Sequence, residues 1–257
     1  MSQGGGERIQ KVRAVKIMKG SFREARVAAS GRHLWLFLAT CLLLVATAAG
    51  HAGAATAEKG NRAQLTKEGV LEAERLLGEL GYWPGEADGV WDLLSRHALV
   101  AFQKVEGRER SGRLTRRELR ALRGASRPPP LESGPAHVEI DIRRQVLFVV
   151  GDDGTVVKVI PVSTGNEGSY FDQGKWQRAH TPRGRFTIGR KIEGRRRSTL
   201  GLLYYPCYFS GGVAIHGSLS VPARPASHGC VRIPMLIAKG FSEMVPVGTL
   251  VIVHDGG

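Results

Sequence analysis

The chain has 257 residues, with 37 Lys and Arg against 23 Asp and Glu, 42% hydrophobic residues, 34 Gly and three Cys. That length suits one or two domains, each able to bury a core, and the composition excludes a disordered chain, a collagen-like repeat and a disulfide scaffold. The formal net charge of +14 calls for an anionic partner: nucleic acid, a membrane surface or a cell wall.

The charge is unevenly placed. Residues 1–33 hold eight Lys and Arg against two acids, a net +6, and the remainder carries +8. An uncharged apolar run, Leu34–Gly50, follows directly, and then the small residues Ala55-Thr56-Ala57. A basic lead, an apolar stretch and an A-x-A site describe a secretory signal, with cleavage before Glu58. The lead is long for a signal, and Met18 is an alternative start. The run is slightly short of the ~20 residues that span a bilayer, so the leader 1–57 reads either as a cleaved signal or as a single-pass anchor. In both cases the basic side stays in the cytoplasm and residues 58–257 lie outside it, in the cell wall or periplasmic space.

Residues 65–124 read as a small helical domain. Thr66 opens a segment with Val70, Ala73, Leu77 and Leu80 at helical spacing, and Gly81 stops it. The turn-rich stretch 82–89 leads to a second helix with Leu94, Ala98, Ala101 and Val105 on one face. Thr115 with Glu118 fits a capping box, and Leu114 with Leu119 the accompanying hydrophobic staple, so a short third helix begins there. Residues 125–136, with Pro128-Pro129-Pro130 and Pro135, form a stiff linker. From 137 to 254 the period changes to that of strands. Val138, Ile140 and Ile142 alternate, as do Val146, Phe148 and Val150. Residues 155–162 are rich in β-branched side chains, and further strands are expected near 185–188, 213–215 and 249–253. The one helix expected there covers about 234–245. The fold class is α+β and multidomain: a three-helix bundle, then a mostly β domain.

Two motifs in the β domain carry chemistry: Ile215-His216-Gly217 and Ser227-His228-Gly229-Cys230-Val231-Arg232. A thiolate attacks carbonyl carbon, and an imidazole can take its proton and return one to the leaving group. An extended backbone sends His228 and Cys230 to one face, whereas His216 must reach Cys230 from another strand. Gly229 leaves the backbone bare beside the thiol, where N–H groups could hold an oxyanion. Arg232 offers a planar fork to a carboxylate. Acyl transfer on a peptide with a nearby carboxylate follows. Rival readings are a zinc site from His216, His228, Cys230 and His254, which lacks a C-x-x-C or H-E-x-x-H anchor, and nucleic-acid binding by Arg113, Arg116, Arg117, Arg120, Arg123 and Arg195–Arg197. No aromatic stacking motif accompanies those arginines, so neither a nucleic acid nor a metal is expected.

Two family resemblances rest on these residues. Leu80-Gly81-Tyr82, Pro84-Gly85, Asp88-Gly89 and Ala101-Phe102-Gln103 resemble the three-helix peptidoglycan-binding domain, with departures at Asp92 and Ser95, where glycine and threonine are usual. His216-Gly217 with Ser227–Arg232, supported by Pro161–Gly165 and Thr181–Ile188, resembles the YkuD-type L,D-transpeptidase domain. The resemblance implies a wall enzyme with Cys230 as nucleophile, His216 as proton donor and acceptor, the Gly217 carbonyl orienting His216, and His228 with Gly229 shaping the oxyanion site. It also implies substrate contacts from Ser227, Arg232, Tyr205 and Tyr208, and no cofactor. The implied partners are peptidoglycan stem peptides and glycan in an anionic envelope. The product is a cross-link between third stem residues. An L,D-carboxypeptidase, attachment of a protein to the wall by the same thioester, carbapenem acylation, and a non-catalytic wall-binding scaffold are the further readings. A Cys207–Cys230 disulfide would silence the nucleophile, so Cys207 is expected to be a packed free thiol.

Overall fold

The structure, a computed structural model, describes residues 65–256. Three helices come first: α1 (Lys67–Glu79), α2 (Leu93–Val105) and α3 (Arg116–Arg123). Each begins on a side-chain cap. The Thr66 hydroxyl accepts from the Gly69 amide at 3.4 Å, Asp92 from Ser95 at 2.8 Å and Thr115 from Glu118 at 3.2 Å, which satisfies amides that have no partner within a helix's first turn. The capping box at Thr115 is half made, because the Glu118 carboxylate turns instead to Arg108, at 2.9 and 3.0 Å. The residues that depart from the usual glycine and threonine have their own roles here. Asp92 caps α2, and Ser95 donates at 2.7 Å to the buried Glu74, which also takes the Gly89 amide at 2.9 Å.

Twelve strands follow: β1 (His137–Asp141), β2 (Val146–Val150), β3 (Val156–Pro161), β4 (Ser169–Asp172), β5 (Lys175–Arg178), β6 (Gly184–Thr187), β7 (Arg190–Lys191), β8 (Arg195–Ser198), β9 (Gly201–Ser210), β10 (Val213–Ser218), β11 (Val231–Pro234) and β12 (Leu250–His254). A 3-10 turn (Met235–Ile237) runs into α4 (Ala238–Met244). The first sheet has the order β3-β2-β1-β12-β6, and the second β11-β10-β9-β7 with β8 also on β9. The strands β4 and β5 form a separate hairpin.

Both faces of the first sheet are buried. Val138, Ile140, Leu147 and Val149 face a core shared with the second sheet and α4. Val146, Phe148, Val150, Val156 and Val159 face a second core made with Leu77, Tyr82, Leu99 and Phe102 of the helical region. Tyr82 meets Phe102 edge to face at 5.7 Å. At ~1.5–3 kcal/mol for each large apolar side chain buried, this interface is a core and not a loose domain contact. The Val159 amide also donates to the Gly81 carbonyl at 2.9 Å, extending the sheet edge into the helical region. The Pro-rich stretch is strapped down rather than free: buried Glu139 takes the Leu131 and Glu132 amides at 2.8 Å each, and the Arg127 guanidinium reaches the carbonyls of Glu79 and Val156.

The expected single-pass anchor is withdrawn. Among the described residues no helix is long and apolar enough to cross a membrane. The longest, α1 and α2, have 13 residues each, or about 20 Å of helix against ~30 Å of hydrocarbon. The run Leu34–Gly50, the cleavage site before Glu58 and the rest of the leader lie outside the described residues.

Candidate active site

The site is built on the outer face of the second sheet. Across β9, β10 and β11, Ile215 is in register with Cys207 on one side and Val231 on the other, and all three point into the main core with no exposed surface. Side chains alternate along a strand, so the next residues face outward. His216 lies opposite Arg232, and Cys230, one residue before the inward Val231, shares their face. These three line one cleft of about 850 Å³.

The histidine is fixed by its own neighbour. Nδ1 of His216 lies 2.9 Å from the Gly217 carbonyl oxygen. A carbonyl can only accept, so Nδ1 carries the hydrogen and Nε2 has the free lone pair. Gly217 must be glycine, because a Cβ there would stand 2.5 Å from the Ala238 Cβ. Burial pushes the His216 pKa down to about 4, with the Gly217 carbonyl opposing and Arg232 adding to the shift. Burial also raises the Cys230 thiol, while the Ala214 amide and Arg232 favour its thiolate. The resting pair is therefore neutral thiol and neutral imidazole.

The nucleophile loop is held from below. The Thr164 carbonyl accepts the amides of Ala226 and Ser227 at 3.0 and 2.9 Å, and Thr181 donates to the Gly229 carbonyl at 2.7 Å. Buried Ser227 donates to the Cys230 carbonyl at 2.5 Å and accepts the Gly229 amide at 3.0 Å, so its hydroxyl is committed to the loop. Gly229 has φ +137, and a Cβ would lie 2.9 Å from the His180 carbonyl oxygen. Hence Ser-His-Gly-Cys folds as a tight staple and not as an extended tripeptide.

The other sequence-selected residues divide. His228 is exposed and its ring packs on Tyr170, centroids 4.6 Å apart. Arg232 lines the cleft, and among the described residues it has no ion-pair partner. Tyr208 lines the cleft with the Arg190 guanidinium 4.2 Å above its ring. Tyr205 does not line it. With a left-handed backbone (φ +48) and an amide bond to the Gly194 carbonyl, it packs against the main core, and Tyr204 lines the cleft instead. Cys207 and Cys230 are both free thiols. His254 stands in the first sheet, and among the described residues no three His, Cys, Asp or Glu side chains converge on a metal position.

Two hairpins wall the cleft that motif reading did not find. The β4–β5 hairpin brings Tyr170, Asp172 and Gln177, and the β8–β9 hairpin brings Arg196 and Leu202. The Thr199 hydroxyl donates to Asp172 at 3.1 Å and clasps one to the other. The signal for the first hairpin was Gln173-Gly174, a two-residue turn with both φ positive between the paired Asp172 and Lys175.

Comparison with known proteins gives the same two regions. The L,D-transpeptidase catalytic domain model matches residues 135–253, and a putative peptidoglycan-binding domain model matches 66–122. The crystal structure of an L,D-transpeptidase from Xylanimonas cellulosilytica is 40% identical, with 72% of this chain and 92% of that chain covered and a TM-score of 0.68. One from Stackebrandtia nassauensis is 25% identical over 72% of this chain and 89% of that one, with a TM-score of 0.43. No curated protein matches.

Proposed function

Because the chain belongs to the L,D-transpeptidase family of cysteine-dependent acyl-enzyme formers, with a YkuD-type catalytic domain preceded by a peptidoglycan-binding domain, we propose that it joins the third residues of two peptidoglycan stem peptides through a thioester on Cys230. Family membership supports an extracytoplasmic, cell-wall location.

In this reading Cys230 Sγ attacks the carbonyl of the third residue of a tetrapeptide stem while its proton passes to His216 Nε2. The oxyanion faces the Cys230 amide, since the Gly229 amide is taken by Ser227. The tetrahedral intermediate expels the amine of the terminal D-alanine, which takes the proton back from His216 and leaves a thioester. The side-chain amine of a second stem attacks that thioester, His216 takes the amine's proton, and the thiol is restored. Arg232 receives a substrate carboxylate. Tyr208, Tyr204 and the Tyr170–His228 pair wall the stem, and the outer surface of the helical region holds wall glycan. A strained carbapenem carbonyl would meet the same thiol.

The observation that carries the reading is that His216, its Nδ1 locked on Gly217, and Cys230 share one face of one sheet. The test is to incubate the purified enzyme with a disaccharide-tetrapeptide and weigh the products. A dimer with loss of D-alanine is expected. Tripeptide monomer alone would make it an L,D-carboxypeptidase, and no turnover would leave a wall-binding scaffold.

A further inference from the structure

Lys104 is the least expected residue of the helical region. It lies at the end of α2, is 1% exposed, and among the described residues has no carboxylate partner. Its ammonium nitrogen, Nζ, donates to two carbonyls of the β domain, Gln145 and Val162, at 2.8 Å each. A buried amine without a counter-charge is costly, and burial with the nearby Arg110 brings its pKa down to about 7. Either protonation state keeps two N–H donors for the two carbonyls.

What those carbonyls belong to is informative. Gln145 closes the β1–β2 turn in a left-handed conformation (φ +63) that non-glycine residues seldom adopt. Its side chain donates to Thr164 Oγ1 at 2.7 Å and accepts the Thr164 amide at 2.9 Å. Val162 begins the strap that continues through Ser163, Thr164 and Gly165. Ser163 exchanges two backbone bonds of 3.0 Å with Arg232, the Thr164 carbonyl takes the Ala226 and Ser227 amides, and Gly165 donates at 2.9 Å to Thr181, which holds the Gly229 carbonyl. Gln145, Ser163, Thr164, Thr181 and Ser227 are all buried. A continuous buried polar network therefore runs from one helical lysine to the loop that carries Cys230.

We infer that Lys104 is a positioning residue, through which the helical region sets the Val162–Gly165 strap and thereby the geometry of the Cys230 loop. The helical region is then part of the catalytic apparatus as well as a wall-binding element. This rests on Cys230 being the nucleophile, and the readouts are chosen to keep the two apart.

The experiment compares full-length wild type, Lys104→Met and Gln145→Leu. Gln145→Leu leaves the carbonyls held by Lys104 in place and cuts the side-chain links to Thr164 and to the Ile142 carbonyl. Turnover is measured per titrated thiol, together with KM and the rate of Cys230 alkylation by iodoacetamide, beside thermal midpoints. The expected result is a kcat about tenfold lower with KM within twofold, and slowed alkylation, in protein that remains folded. A lower midpoint with wild-type kcat per thiol and wild-type alkylation would make Lys104 merely structural and overturn the inference, as would a raised KM at unchanged kcat. If Lys104→Met does not fold, Lys104→Gln, which keeps a side-chain N–H donor for the two carbonyls, is measured in its place and decides by the same criteria. Full turnover by Cys230→Ala would sink the functional reading instead, and the alkylation rates would still judge the network.

Discussion

Cys207 and Cys230 sit on opposite faces of one sheet, and the contrast between those faces explains the site. Inward, Cys207 is packed with Ile215 and Val231 in a core without solvent, its thiol raised by burial and its sulfur 3.6 Å from Ser242 Oγ. Outward, Cys230 stands at a cleft beside His216 and Arg232. Both thiols are held above their ordinary range by desolvation, so a low resting pKa does not mark the nucleophile. Strand parity does. It gives one thiol a base and an opening, and the other neither, although the Lys191 charge acts on Cys207 as that of Arg232 does on Cys230.

The sharpest way to break this contrast is Cys230→Ser. Loss of the nucleophile in a coupled catalytic set typically costs ~10⁴-fold or more, and product formation and β-lactam acylation seen by mass should both disappear. Retained activity would mean that the outward face is not where the chemistry happens.

His216→Ala comes next, at ~10²–10⁴-fold for a general base. The pH profile gives a finer readout. With its folded pKa near 4, His216 is neutral and able to accept a proton above that value, and it is charged and idle below it. Wild-type kcat/KM should therefore hold flat through mildly acidic pH and fall about tenfold per unit once pH drops below about 4. The variant's residual activity should lack that limb. A wild-type limb near the ordinary histidine value would mean that the ring is not desolvated as its burial implies.

Much of the outward face was legible because it is local in sequence. Ser227–Arg232 and His216-Gly217 placed the thiol, the base and the guanidinium, and the caps at Thr66 and Thr115 placed two helices. Tyr205 was named together with Tyr208 through the family resemblance alone; in β9 it has the parity of the inward Cys207, so Tyr204 and Tyr208 take the cleft side instead. Val146-Leu147-Phe148-Val149-Val150 is apolar at every position, the mark of a strand buried on both faces. Read as alternating, it hid the shared core with the helical region. Lys104 left no local trace at all. A lysine on an amphipathic helix reads as solvated, and its burial is decided by carbonyls 41 and 58 residues further along the chain.

The smallest expected effect tests the inward half of the contrast. Cys207→Ala removes a sulfur from a site with no exposed surface, which should cost about 1 kcal/mol of stability through the small cavity left. Activity per folded molecule should stay within twofold, because nothing on Cys207 reaches the cleft. Iodoacetamide should label Cys230 in native protein at the same rate with or without Cys207, and should label Cys207 only after denaturant. A large loss of turnover in Cys207→Ala with its thermal midpoint unchanged would show the two faces to be coupled through the sheet. Strand parity alone would then no longer account for why one thiol reacts and the other packs.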